Sequence, residues 1–299
     1  MFLWFEIEKN AHEWNNLLEA GYEYLFNSHA YLLLNKPGKS SLAGIVNENF
    51  RMGGLLHQDK QCFECFIFPL NITADVLNEL LKWLKAQGVS KVIFNSFAHG
   101  SEKVGLPNGV HSTTKRIEFI ADGKYCENLS KSSLHSTHRR TINKLERSNV
   151  QLIKIERFFF IHLAISHVTK IIRKPDLYAG IRRFLKELLY IYQLSKLIKL
   201  HDEFMLYSVI EKKKILSSAV ILQSGNVAYY MLGASRSCGY KTRASVYLMW
   251  SLLNKYCKEG IEFNMGGVNI STNSDEGVYR FKKQFGLEEH ERKSFQVKL

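Results

Sequence analysis

Only four prolines interrupt the 299 residues, and no tract rich in glycine and serine or in proline appears. Flexible linkers are built from such tracts. A chain of this length makes one large domain or two ordinary ones, and two would be fused closely. No run approaches the about 18 apolar residues that cross a bilayer. The longest, around Phe158–Ile165, is short and contains His162. The opening Met1-Phe2-Leu3-Trp4-Phe5-Glu6 has no basic segment and meets an acid at once, so no secretory leader is expected. The expected location is cytoplasmic, with loose attachment to a membrane surface left open. Cysteines number five, an odd count that argues against a disulfide framework. Cys62-Phe63-Glu64-Cys65 has no second pair and no histidine pair at zinc spacing. Strand alternation puts Cys62 and Cys65 on opposite faces, so buried thiols are expected there and no metal site.

What the chain has in excess is positive charge. Lysine and arginine total 41 against 28 acids, a net charge of +13. Such a surplus concentrates polyanions near the surface: nucleic acid, anionic membrane or phosphorylated carriers. A basic bias spread evenly over the surface is the competing explanation.

The hydrophobic pattern reads as α/β (α+β) throughout. In the first half, His12–Ala20 reads as a helix; Leu42–Val46, Arg51–Leu55 and Cys62–Pro69 read as strands. Thr73 or Asp75 caps a helix that aligns Leu77, Leu80, Leu81 and Leu84 and stops at Gly88. Strands follow at Val89–Asn95 and Arg116–Ala121. In the second half a basic helix over Ser133–Ser148 precedes the strand Val150–Ile155. Two helices separated by Pro175 come next. Phe204–Glu211, Ile215–Gln223 and Val227–Gly233 form a meander, turned once at Ser224-Gly225-Asn226. Arg243–Cys257 is an amphipathic helix whose apolar face holds Val246, Met249, Trp250, Leu253 and Tyr256. Gly260 stops it. The strand Ile261–Met265, the helix Glu276–Phe285 and the strand Phe295–Leu299 close the chain.

A strand that ends in a polar loop and opens a helix offers backbone N–H groups at a positive dipole end, which suits phosphate. Arg236, Lys241 and Arg243 add charge at that place, after Tyr229-Tyr230-Met231-Leu232-Gly233. Arg236-Ser237-Cys238-Gly239-Tyr240-Lys241 keeps two of the three anchors of the GNAT pyrophosphate loop, Gln/Arg-x-x-Gly-x-Gly/Ala. Downstream stand Ile261-Glu262-Phe263-Asn264-Met265-Gly266-Gly267 and Gly277-Val278-Tyr279-Arg280-Phe281-Lys282-Lys283-Gln284-Phe285-Gly286. This ordered set resembles the FemAB-like branch of the GNAT superfamily: a Tyr-rich strand, a helix with Leu and Trp, a strand closing in Gly-Gly and a Gly-x-x-x-Phe-Lys-x-x-Phe-Gly helix. Leu129–Lys144 is similar to that branch's Ser/Arg-rich helix, and Phe26–Tyr31 to its early helix start.

The resemblance implies tandem GNAT-like domains, each a mostly antiparallel sheet flanked by helices. They are expected at 1–128, a degenerate half that walls the substrate, and 129–299, the acyltransferase half. The implied reaction moves an acyl group from acyl-CoA or an acyl carrier protein to an amine or hydroxyl, with a cell-envelope precursor among the acceptors. No tightly bound cofactor and no covalent enzyme intermediate are expected. An alternative is aminoacyl transfer from aminoacyl-tRNA to a peptidoglycan precursor. A basic nucleic-acid-binding module ranks last, because Tyr229 and Tyr230 lack basic partners in their strand.

Acyl transfer needs an oxyanion donor, an anchor for the carrier and a proton acceptor. Lys282, in the family's Phe-Lys position, is the first oxyanion candidate, while Lys283 reads as an ordinary exposed lysine. His138 has the intrinsic pKa of a base, as does His135, and Glu276 is the carboxylate alternative, with Asp202, Glu203 and Asp275 behind it. Arg236, Gly239, Lys241 and Arg243 are the carrier-binding set. Tyr230, Asn264, Gly266, Gly267, Arg280 and Arg140 are the substrate-binding set, Arg140 heading a basic stripe with Lys144 and Arg147. Asn264 stands where the family often carries aspartate, so a carboxylate role does not transfer: an amide only hydrogen-bonds.

Overall fold

The computed structural model describes all residues except 58–60, 68–71, 96–109, 173–176 and 270–274. Pro69 and Pro175 therefore lie outside the described residues. The elements run β1 (Leu3–Glu6), α1 (Ala11–Leu17), α2 (Tyr22–Asn27), α3 (His29–Asn35), β2 (Ser40–Val46), β3 (Arg51–His57), β4 (Cys62–Cys65), α4 (Ala74–Ala86), β5 (Lys91–Phe94) and β6 (Val110–Ala121). They continue as α5 (Gly123–Glu127), α6 (Ser136–Arg147), β7 (Gln151–Ile155), α7 (Phe159–Ile172), α8 (Leu177–Leu200), β8 (Phe204–Glu211), β9 (Lys214–Ser224) and β10 (Val227–Ser235). Last come α9 (Ser237–Thr242), α10 (Ala244–Lys258), β11 (Glu262–Asn269), α11 (Glu276–Lys283) and β12 (Glu288–Lys298).

Two compact units result, and both are discontinuous in sequence. The first holds Met1–Glu118, Gly267–Val278 and Glu289–Leu299; the second holds Phe119–Gly266 and Tyr279–Glu288. The chain passes from one to the other within β6, β11, α11 and β12. Each unit is an α/β layer with a mostly antiparallel sheet.

In the first unit the strands run β1-β2-β3-β4-β5-β12. All these neighbours are antiparallel except β4 and β5, which are parallel from Cys62↔Lys91 to Cys65↔Phe94. Its core gathers Ile45, Met52, Phe63, Leu77, Leu80, Leu84, Val92 and Phe94 against Phe295 and Val297. The helix α4 forms as its sequence dictates: the Thr73 hydroxyl accepts the Val76 N–H and the leucine stripe is buried. Strand glycines here make room for rings. A Cβ at Gly44 would fall 2.4 Å from the Trp14 ring, and one at Gly54 would fall 2.6 Å from Phe63. Trp14 is fully buried and its Nε1–H donates to the Asn27 carbonyl at 2.7 Å.

In the second unit the order is β11-β10-β9-β8-β7. The meander β8-β9-β10 is antiparallel, and β10 pairs with β11 in parallel. The helix α10 buries Val246, Met249, Trp250, Leu253 and Tyr256, the face its periodicity requires. Tyr256 stacks on Phe263 at 5.1 Å.

Three features depart from the sequence-based expectations. The polar segment after β10 is a short helix, α9, rather than a loop. The strand β11 runs on through Gly266 and Gly267 to Asn269, and β12 begins seven residues before Phe295, at Glu288. Cys126 and Cys257 are joined in a disulfide between α5 and α10: one bridge, not a framework. Cys62 and Cys65 are free and buried, and burial pushes the Cys65 thiol up.

Candidate functional site

The parallel pair β10/β11 is where the second unit's sheet stops being regular. Its ladder holds three residue pairs, Val227↔Glu262, Ala228↔Phe263 and Tyr229↔Asn264. Beyond that point β10 shifts register against β9 between Tyr230 and Leu232. A bulge of this kind re-aims side chains and ends pairing. On the facing strand Gly266 takes a φ of +73°, a left-handed conformation that only glycine adopts cheaply. The turn is held by Asn264, fully buried, whose Oδ1 accepts the Gly266 N–H at 2.7 Å.

Lys282 reaches this turn from α11. It is 5% exposed, and its Nζ donates to the Gly266 carbonyl at 2.9 Å. Burial of an ammonium is costly unless polar groups surround it, so its placement here is specified, not incidental. Lys283 beside it is exposed and donates to the Tyr279 hydroxyl at 3.1 Å, the ordinary fate of a helical lysine. Two tyrosines complete the cluster. A Cβ at Gly266 would lie 3.0 Å from the Tyr230 carbonyl and 3.5 Å from the Tyr229 hydroxyl. Burial pushes the Tyr230 phenol up to about 12, with Tyr240 adding to it. It therefore stays protonated, and a donor, at neutral pH.

Lys282, Asn264, Gly266 and the Tyr230 carbonyl thus meet here, whereas the Tyr230 phenol lies against Gly233, where a Cβ would fall 1.8 Å from its oxygen. Tyr229 was missed: it pairs with Asn264 across β10 and β11, which puts it on the face of the Asn264–Gly266 turn, its hydroxyl 3.5 Å from where a Gly266 Cβ would lie. Gly267 belongs to the first unit, where a Cβ would fall 1.8 Å from Arg116 Nε. Arg116 in turn pairs with the fully buried Glu118 at 3.3 Å, and Arg292 with the same carboxylate at 3.6 Å. Nothing in the alternating strand around Arg116 marks this role.

Other predicted residues lie elsewhere. His138 is a packing residue. It is 3% exposed, sits edge-on to Phe285 at 4.6 Å and shares a 3.1 Å hydrogen bond between Nε2 and the Phe281 carbonyl. Burial lowers its pKa to about 4, outweighing the Phe281 bond that opposes it. A base must be reachable by the proton it takes, and His138 has no such access. Glu276 and Arg280 are exposed on α11, and Arg140 is exposed on α6 opposite buried Ile142 and Leu145.

The carrier-binding set is arranged around the start of α10. Arg236 precedes α9, Lys241 lies in its last turn, and Arg243 joins α9 to α10 with a φ of +56°. Lys241 and Arg243 are exposed. Gly239 has a packing reason of its own: a Cβ there would fall 2.0 Å from the Leu216 carbonyl. Glycine is required for α9 to lie on β9. Among the described residues no group of acids, histidines and cysteines is placed to hold a metal ion.

Comparison with known proteins agrees with this geometry. Residues 193–292, which hold the meander, α10, β11 and α11, match the model of the FemAB family. No curated protein matches the chain in sequence. Among solved structures, FemX aligns with a TM-score of 0.61 at 13% identity, covering 99% of this chain and 97% of that one. L-PGS from Bacillus licheniformis aligns at 0.61 and 15%, covering 97% and 91%. A tandem GNAT protein from the clavulanic acid biosynthesis pathway, solved without AcCoA, aligns at 0.55 and 8%, covering 100% and 98%. Over residues 193–292 the chain is thus similar to the FemAB family, and its fold is the one shared by FemX and the tandem GNAT protein.

Proposed function

We propose that the chain is a transferase of acyl or aminoacyl groups and that its reaction takes place at the Lys282–Gly266 cluster. The observation that carries this reading is the buried Lys282 ammonium held on the Gly266 carbonyl where the β10/β11 ladder ends. In such a transfer the acceptor amine attacks the donor carbonyl carbon, and the carbonyl electrons move to oxygen. A preorganised cation beside that oxygen stabilises the charge, an effect worth about 3–4 kcal/mol. The tetrahedral intermediate then collapses: the carbonyl re-forms, the bond to the carrier breaks, and the leaving group takes up the proton lost by the amine. Lys282 is the oxyanion donor in this scheme. Asn264 positions Gly266 and carries no proton.

The carrier in the leading reading is an acyl-CoA or acyl carrier protein, its phosphates met by Arg236, Lys241 and Arg243 near the start of α10. The acceptor is an amine or hydroxyl, a cell-envelope precursor being the favoured class, and the setting cytoplasmic. A second reading, aminoacyl-tRNA as donor, is favoured by the FemAB match across 193–292 and by the exposed stripe of Arg140, Lys144 and Arg147 on α6. A thermal-shift panel separates them. Acetyl-CoA and longer acyl-CoAs should raise the melting temperature, and Arg243→Ala should abolish that rise. Stabilisation by bulk tRNA alone would replace the first reading with the second. No response to either class, with no transfer from a loaded carrier protein, would remove both.

A further inference from the structure

The second unit carries an apolar surface that its own fold leaves uncovered. On α8, Leu185, Leu189, Tyr192, Lys196 and Lys199 follow one another at alternating steps of four and three, a single helical stripe. The opposite face, with Ile191, Leu194, Leu197 and Ile198, is buried. The stripe is not: Leu185 is 59% exposed, Leu189 62% and Tyr192 48%. At the start of α7, Phe160 meets Tyr192 edge-on at 6.4 Å, and Phe158 and Ile161 beside it are 72% and 51% exposed. Scattered surface leucines need no explanation, but a continuous apolar band on two packed helices marks a contact surface.

The rim of this band has one dominant sign. Lys186, Lys196 and Lys199 lie exposed on α8, and Lys154 and Arg157 lie exposed before α7. Lys196 holds its ammonium 4.6 Å over the Tyr192 ring, its stem laid along the apolar face. The acids on or next to these segments are Glu156, Glu187, Asp202 and Glu203.

We propose that this face docks on an anionic lipid surface. An amphipathic helix with an apolar stripe and a basic rim lies in the plane of a charged bilayer, burying its apolar side and pairing its cations with headgroup phosphates. The stretch Leu185–Leu200 is about 24 Å long at helical rise, and among the described residues no helix is long and apolar enough to cross a membrane. The helix rests on the surface. A second copy fits this face less well, because a two-fold contact sets each patch against itself and would oppose cation to cation. RNA would satisfy the cations and leave the leucines without a partner. This inference does not depend on the transfer reaction or its donor.

The test is co-sedimentation of the full chain with vesicles of phosphatidylcholine alone or mixed with phosphatidylglycerol. Binding is expected only to the mixed vesicles and should fall with added salt. Leu185→Ser with Leu189→Ser should weaken it by about tenfold or more. Lys196→Gln and Lys199→Gln should each cost about fivefold. All four substitutions are at exposed positions, so the melting temperature should hold. The proposal is overturned by equal uptake on both vesicle types or by variants that bind like the parent. A chain that instead forms a dimer dispersed by the leucine substitutions, or binds RNA and no vesicles, overturns it equally.

Discussion

Each unit holds a parallel strand pair, β4/β5 in the first and β10/β11 in the second, and the two are built differently. In the first unit β4 and β5 are four residues each and are paired along their whole length, from Cys62↔Lys91 to Cys65↔Phe94. The Asn95 N–H extends the ladder to the Cys65 carbonyl at 3.0 Å, and the Asn95 side chain ties down Glu64 at 2.9 Å. In the second unit β10 and β11 pair over three positions, and just beyond them β10 shifts register against β9. The glycines follow the same division. Those of the first unit admit the rings of Trp14 and Phe63, whereas Gly266 admits a turn that a lysine ammonium grips. A closed ladder filled with aromatic rings stabilises; an interrupted one frees backbone and side chains for chemistry. The two architectures share a plan, and the second unit carries the Lys282–Gly266 cluster at which transfer is proposed.

The largest expected effect separates stability from activity. Trp14→Ala should destabilise the first unit by about 3–5 kcal/mol, measured by denaturant unfolding, with turnover per folded molecule unchanged. A loss of turnover beyond the loss of folded protein would give the first unit a direct part in catalysis.

Acid and base titrations sharpen the contrast, because the units carry oppositely shifted groups. His138 in the second unit is lowered from 6.5 to about 4, chiefly by burial. Unfolded chains bind its proton first, so its stabilising contribution is present above pH 6.5 and is lost as pH falls toward 4. The size of that loss is up to about 3 kcal/mol. Glu23 in the first unit is raised from 4.5 to about 7 by burial and by Glu19, against Arg51. Its contribution has the reverse sign, present below pH 4.5 and lost as pH rises toward 7. Because Glu23 is partly exposed, about 1 kcal/mol is expected after solvent screening. Unfolding curves of His138→Gln and Glu23→Gln across this range should flatten in opposite directions. Parallel slopes would dissolve the distinction.

Gly266→Ala is the most local change. Forcing an L-residue to positive φ costs about 1–2 kcal/mol, and the new Cβ would press on the Tyr230 carbonyl at 3.0 Å. Turnover should fall by more than stability does. Equal losses would make Gly266 a structural residue only.

Much of the fold was legible because burial imposes period. The leucines of α4, the apolar face of α10 and the strand β8 stand where the alternation of apolar residues puts them. What was not legible rests on contacts distant in sequence. The helix α9 has no apolar face of its own to betray it and forms because Gly239 can lie on Leu216. Residues Glu288–Arg292 of β12 are nearly all polar, and their strand is set by neighbours rather than by pattern. In the site, Lys282 was readable from the Phe-Lys spacing and Asn264 from its place before the glycines. Tyr229 was not, because its place depends on pairing with Asn264 across two strands distant in sequence. His138 misled for the opposite reason: its intrinsic pKa fits a base, but helix α6 buries it against Phe281 and Phe285.

The central claim is that Lys282 works on the reacting carbonyl and does not merely tie α11 to β11. Turnover and melting temperature of Lys282→Met, measured with the donor that the thermal-shift panel selects, test it most directly. Methionine keeps the apolar stem and removes the charge. The account predicts turnover lower by about 10²–10³-fold with melting shifted by only a few degrees, and partial recovery in Lys282→Arg. Unchanged turnover, or a loss matched by unfolding, would contradict it.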